Sequence, residues 1–103
     1  MQLTDYKERK VRFSKERRRH IAAAHPEMKD QLPKIQETLK IPDVVNKSKL
    51  DNSVELFYKF YEKTPVTSKY LCILVKITES DNFIITSYFT DTIKKGMKIW
   101  KKK

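Results

Sequence analysis

Apolar and polar positions alternate most densely between Tyr70 and Thr90. Successive side chains in a strand point to opposite faces. A strand over Tyr70–Thr78 therefore puts Leu71, Ile73, Val75 and Ile77 on one side, with Tyr70, Cys72, Leu74 and Lys76 on the other. A second strand, Phe83–Thr90, divides Phe83, Ile85, Ser87 and Phe89 from Ile84, Thr86, Tyr88 and Thr90. Between them, Glu79-Ser-Asp-Asn82 is a polar turn whose Asp-Asn pair tolerates left-handed backbone, so the two strands read as an antiparallel hairpin. Val54–Tyr61 alternates as well, with Val54, Leu56, Tyr58 and Phe60 opposite Glu55, Phe57, Lys59 and Tyr61. The segment Asp43–Lys49 is weaker and reads as an edge strand resting on Val44 and Val45.

Two helices precede these strands. Ser14 is a good N-cap, because its hydroxyl accepts from an orphan amide of the first turn. The helix that follows runs from Lys15 to about Ala24, and Pro26 stops it by lacking a donor and forcing His25 out of helical geometry. A second helix starts near Pro33, a favourable first-turn residue, buries Leu32, Ile35 and Leu39, and ends before Pro42. Met1–Lys10 reads as a basic lead-in, Val11–Phe13 as a short extended piece, and Met97–Trp100 as a terminal anchor after a bend at Gly96.

The predicted architecture is one α+β domain over residues 1–103. Two N-terminal helices pack on one face of a three- to four-stranded antiparallel sheet, and a lysine tail closes it at 101–103. The helices are expected to cover Leu71, Ile73, Val75, Ile77, Phe83, Ile85, Phe89 and the Val54 side. Phe57, Lys59, Tyr61, Lys76, Thr86, Tyr88 and Thr90 are left on the open face.

Charge adds to this picture. The chain carries a net charge of +10, and 35% of its 103 residues are charged. Residues 1–20 hold eight Lys or Arg against three acids, and residues 94–103 hold six Lys and no acid. The remainder has nine basic and ten acidic residues, so the excess lies at the two ends. Such ends suit a polyphosphate partner, since each contact neutralises a phosphate and releases counterions. A membrane partner is disfavoured: no apolar run has bilayer-spanning length, and neither end has the large apolar residues of an interfacial helix. The start of the chain is polar and does not read as a secretory signal. Cys72 stands alone in a strand and reads as a small buried hydrophobe, which fits a reducing cytoplasm.

The chain has two histidines, His20 and His25. A spacing of five places them about 140° apart around a helix, which disfavours a shared metal, and no Cys or acid cluster supplies further ligands. His25 falls at the helix end with Arg18 and Ile21 on its side. His20 shares another side with Arg17 and Ala24.

Several short strings look familiar together: Val11-Arg-Phe-Ser-Lys-Glu-Arg17, His20-Ile21, His25-Pro-Glu-Met28, Ile41-Pro-Asp43, Tyr58-Lys-Phe-Tyr61, Lys69–Lys76, Phe83–Thr90, and Ile93-Lys-Lys-Gly96 with Trp100. In these the chain resembles the phage-associated barnase/EndoU/colicin/RelE-like nuclease domains. The resemblance implies a RelE/colicin-like arrangement and metal-independent RNA cleavage without a cofactor. It also implies a role as a toxin or a phage or mobile-element effector, with RNA as substrate and an immunity protein or antitoxin as candidate partner. His25, His20, Lys59, Tyr88 and Thr90 become the candidate catalytic residues. Arg17, Arg18, Lys94, Lys95, Thr86 and Tyr61 become the candidate RNA contacts. Lys59 stands where relatives often carry arginine, and offers phosphate a point charge rather than a fork.

The chemistry explains these residue types. A ribose 2′-OH attacks its own phosphate, a base takes the proton, an acid protonates the leaving oxygen, and a cation holds the crowded charge. An imidazole titrates near working pH and suits either proton transfer. The principal acid/base is expected to be His25. Two other readings share the sequence: an RNA-binding module of the same fold without catalysis, and a protein-interaction domain. The last predicts an exposed apolar patch around Phe57 and Tyr61.

Overall fold

The computed structural model describes residues 1–103. Its strands are β1 (Gln2–Thr4), β2 (Lys10–Arg12), β3 (Val44–Lys47), β4 (Val54–Tyr61), β5 (Lys69–Lys76), β6 (Phe83–Thr90) and β7 (Met97–Lys101). Two helices, α1 (Lys15–Ala24) and α2 (Leu32–Lys40), lie between β2 and β3, joined through a 3-10 turn at Pro26–Met28. All seven strands form one sheet in the order β1-β2-β6-β5-β4-β3-β7. The expected sheet of three or four antiparallel strands is thus corrected to a mixed, curled sheet of seven, with 38% of the chain in strand and 21% in helix.

The three added strands come from the basic ends. The lead-in is a hairpin, β1 pairing antiparallel with β2. Its turn is held by Asp5, whose Oδ1 accepts the amides of Lys7 and Arg9, each at 2.9 Å. Glu8 takes the left-handed backbone that closes the turn, at φ 64°. β2 then meets β6 in parallel through one pair, Arg12 with Phe83. At the opposite margin β7 pairs antiparallel with β3, so β3 is an interior strand and not the expected edge.

Face assignment follows from register. Phe57 pairs with Ile73, and Ile73 with Ser87. The row before it is Lys59, Leu71 and Phe89, and the row after it is Glu55, Val75 and Ile84. This inner face packs under the helices: Ile21 of α1, Ile35 and Leu39 of α2, and Met28 join Val11, Val45, Phe57, Leu71, Ile73, Val75 and Ile84 in the main core. The β4 face expected to point away from the helices therefore points toward them, and the Val54 side points out.

Two causes account for the reversal. In β4 the more apolar side is not buried by the helices; it builds a second, smaller core of Val44, Val54, Leu56, Tyr58 and Cys72 on the outer face. The charges on the inner side are paired within the fold, as described below. In β6 a register shift opposite Leu74 and Val75 inserts one residue, so Thr86 faces Leu74 while Ile84 faces Val75. A bulge of this kind turns the side chains before it onto the other face. Ile84 enters the main core, while Phe83 and Ile85, expected beneath the helices, stand on the outer side.

The outer face is not open along its whole length. β6 and β7 lie on opposite sides of β5, β4 and β3, so their connection must cross the sheet. Ile93 packs on the small core as it passes. The Lys94 amide donates to the Tyr58 hydroxyl at 3.0 Å, and Asn46 Nδ2 donates to the Lys94 carbonyl at 3.1 Å. The crossing ends at Gly96, where an added Cβ would sit 2.5 Å from the Lys47 carbonyl oxygen. Only a residue without a side chain fits that approach.

Candidate functional site

α1 places the histidines. Ser14 Oγ accepts the Arg17 amide at 3.1 Å and starts the helix, and the His25 amide closes it on the Ile21 carbonyl at 2.7 Å. Pro26 then opens the 3-10 turn. Ile21 is the one buried residue of α1, so the helix is anchored by a narrow stripe and leaves its cations outside. It lies along β6, whose later half is paired with β5 on one side only, because β2 reaches only Phe83.

This packing creates a strip between helix and strand. Toward the start of β6, Arg12, Arg17, His20, Phe83 and Ile84 line a cavity of about 280 Å³. His20 is largely exposed and 3.9 Å from Glu16. Arg12 holds Asp81 at 2.9 Å and lies over the Phe83 ring at 5.2 Å. That ion pair holds the Asp81 carboxyl below the usual carboxylate range. Toward the end of β6, the His25 ring stands 5.6 Å from the Tyr88 ring at an interplanar angle of 33°. Thr86 shares the outer face with Tyr88 and falls between the two ends of the strip.

Behind Tyr88 is Cys72, its partner across β5 and β6, and next in the row is Tyr58. Burial pushes the Cys72 thiol up to about 11, so it is a protonated packing residue and not a nucleophile. Burial likewise raises Tyr88 and Tyr58 above the ordinary phenol value, so both keep their protons and can donate. The Lys94 side chain bears on the same group of residues through its charge on Cys72.

His25, Tyr88, Thr86, His20, Arg17 and Lys94 are therefore disposed along one strand and its outer face. The remaining sequence candidates are not. Lys59 is on the inner face, where its Nζ donates to the Ile41 carbonyl at 3.0 Å and lies 3.7 Å from Asp43. Tyr61 is also inner: its hydroxyl donates to Glu37 Oε1 at 2.7 Å and lies 3.3 Å from Thr38 Oγ1, tying β4 to α2. Both were expected on the uncovered face, and the register of β4 with β5 removes them from it. Arg18 belongs to another groove, with Phe13 and Met28 between α1 and α2. Thr90 is on the outer face but exchanges hydrogen bonds with the Thr92 backbone at 3.3 Å. Lys95 is exposed in the crossing segment. Phe57 is fully buried, so the exposed apolar patch expected of an interaction domain is absent there.

Sequence reasoning missed Arg12 and Phe83 as partners of His20. The signal was present in the cation and aromatic, but only the parallel pairing of β2 with β6 brings them together. No three His, Cys, Asp or Glu side chains converge as a metal-ligand set. No protein-family profile, curated protein or solved structure matches the chain.

Proposed function

We propose that the chain is an endoribonuclease-like domain, acting as a toxin or a phage or mobile-element effector, that cleaves RNA by attack of a ribose 2′-OH on the adjacent phosphate. The observation that carries this reading is the His25 imidazole at 5.6 Å from the Tyr88 ring, beside the later half of β6, which β2 does not reach. His25 serves as the principal acid/base. The ring takes the 2′ proton as the 2′ oxygen bonds to phosphorus; the bond from phosphorus to the 5′ oxygen then breaks and the imidazolium returns that proton to the departing oxygen, giving a 2′,3′-cyclic phosphate and a 5′-hydroxyl end. Tyr88, a half-buried phenol whose pKa desolvation raises further, donates to a phosphate oxygen. Lys94 supplies positive charge from the crossing segment, and Arg17 and His20 line the approach at the other end of the strip. Support also comes from the chain's charge of +10 and from the strings in which it resembles barnase/EndoU/colicin/RelE-like nucleases.

His25→Ala should lower cleavage of total RNA by about 10²–10⁴-fold, the usual contribution of one positioned acid or base. Binding of an uncleavable RNA should be largely retained. Products of the wild type should carry the cyclic phosphate. Cleavage that is unchanged in the variant removes the proposal. A second reading, RNA binding without cleavage, is favoured by the position of Lys59: the cation expected beside the phosphate is bound to the Ile41 carbonyl. Intact RNA after prolonged incubation with wild type, together with salt-sensitive binding, would select it.

A further inference from the structure

The outer face has a second recess, which lies beyond the strip along β6. It is a cavity of about 530 Å³ at the end of β4 and β5, floored by Phe60 and Tyr70 and rimmed by Lys98, Lys101, Lys102 and Lys103. We propose that this recess is a stacking platform for unpaired bases of an RNA strand, with the four lysines on the flanking phosphates.

Phe60 is 45% exposed, an unusual position for a phenylalanine inside a strand whose other ring on that face, Tyr58, is fully buried. It meets Tyr70 edge to face, with ring centroids 5.3 Å apart and planes at 72°. That arrangement fixes one ring against the other and leaves a flat aromatic surface toward solvent. Bases stack on such surfaces with little sequence preference, because every base offers a π-face.

The charges fit the same ligand. None of the four lysines takes part in an ion pair. The one acid in the recess, Asp43, is already engaged: its Oδ2 accepts the Phe60 amide at 2.8 Å, and its Oδ1 faces Lys59 at 3.7 Å. The rim is therefore an unneutralised cluster of point charges around an aromatic floor. Pairing sets the cations in place, since Lys101 stands opposite Val44 and Lys98 opposite Asn46 on the outer side of β3. Lysine binds phosphate as a point charge, and the aromatic floor of Phe60 and Tyr70, on which bases can stack, is what favours a nucleic acid over the carboxylates of an acidic protein.

Position supplies the link to the strip along β6. Tyr70 pairs with Thr90, and Tyr88 is two residues before Thr90 on the same face. Diagonal neighbours of this kind are about 7–8 Å apart. A single strand whose phosphate sits at His25 and Tyr88 can therefore continue onto Tyr70 and Phe60. This continuity rests on the cleavage reading, while the platform itself rests on its own rings and cations.

The test is fluorescence anisotropy with a 2′-O-methyl uridine dodecamer, which cannot be cleaved because its 2′ oxygens are blocked. Phe60→Ala should weaken binding about tenfold, the loss of one stacked base. Phe60→Tyr should restore it. Replacing Lys101, Lys102 and Lys103 together by Ala should flatten the slope of log K against log salt by about 2, at about 0.7 per phosphate contact on a single strand. Thermal unfolding of each variant checks that the fold is kept. A folded Phe60→Ala protein with unchanged affinity overturns the platform. So does polyglutamate binding as tightly as the oligomer, which would mark the recess as a site for an acidic protein. Cleavage by wild type and His25→Ala is measured in parallel. Weakened oligomer binding in Phe60→Ala with unchanged cleavage in His25→Ala keeps the platform and removes the nuclease reading; the opposite pair of results does the reverse.

Discussion

On the inner face of the sheet, each buried charge has its counter-charge. Asp5 is fully buried, and Arg9 Nε reaches its Oδ2 at 2.7 Å. The same guanidinium extends to Glu55, with contacts of 2.7 and 3.3 Å, and so ties the N-terminal turn to β4. Lys59 is likewise matched with Asp43. The outer face is different. Its small core is apolar or neutral, its rings emerge at Phe60 and Tyr70, and the four lysines around those rings form no ion pair. A charge buried without a partner is costly, whereas a solvated cation is not. The inner face is thus the one on which stability depends, and the outer face is free to meet an anionic ligand.

The sharpest way to break this contrast is to remove one member of each set. Asp5→Ala removes one of the two carboxylates that hold Arg9 and the acceptor of the Lys7 and Arg9 amides, and should cost roughly 3 kcal/mol in urea unfolding. Phe57→Ala should cost about 3–5 kcal/mol, since it empties a ring from the centre of the main core. Phe60→Ala, three residues along the same strand, should cost less than about 1 kcal/mol. Equal losses at Phe57 and Phe60 would erase the distinction between the faces.

A pH series gives a smaller effect. Burial raises Tyr58, Tyr61 and Tyr88 above the ordinary phenol value and pushes Cys72 up to about 11. The fold therefore favours their neutral forms. That stabilisation is complete below the unfolded values, about 10 for a phenol, and is lost as pH rises through the folded ones. Urea midpoints should hold level to about pH 8 and fall beyond about pH 10. At pH 8 the native protein should resist alkylation at Cys72, and the denatured protein should react. Ser14→Ala should cost about 1 kcal/mol, from the loss of the cap on α1.

Much of the chain's local structure could be read from its residues. α1 begins after Ser14 and ends before Pro26, and β4, β5 and β6 lie where alternation places them. The short strands could not be read. Lys10–Arg12 and Met97–Lys101 are short and hold four cations in eight residues, and only pairing with distant partners makes them strands. The facing of β4 was hidden for a related reason. Glu55 and Lys59 look like solvent residues until Arg9, 46 positions away from Glu55, and Asp43 are brought beside them. The bulge in β6 leaves no mark in an alternating pattern. For the site, the residue types of His25, Tyr88 and Lys94 were legible, but their approach depends on how α1 lies along β6. Arg12 and Phe83 were not legible as a pair at all.

Gly96 is the chain's single glycine, and it is seated against the Lys47 backbone. Everything after it, from Met97 to the closing lysines, hangs from that point like a gate leaf from its hinge pin. A methyl group there would push the leaf off its post, carrying Trp100 out of the interior and four ammonium groups away from Phe60 and Tyr70. One hydrogen atom in place of a side chain thus sets the alignment of two regions that share no residue.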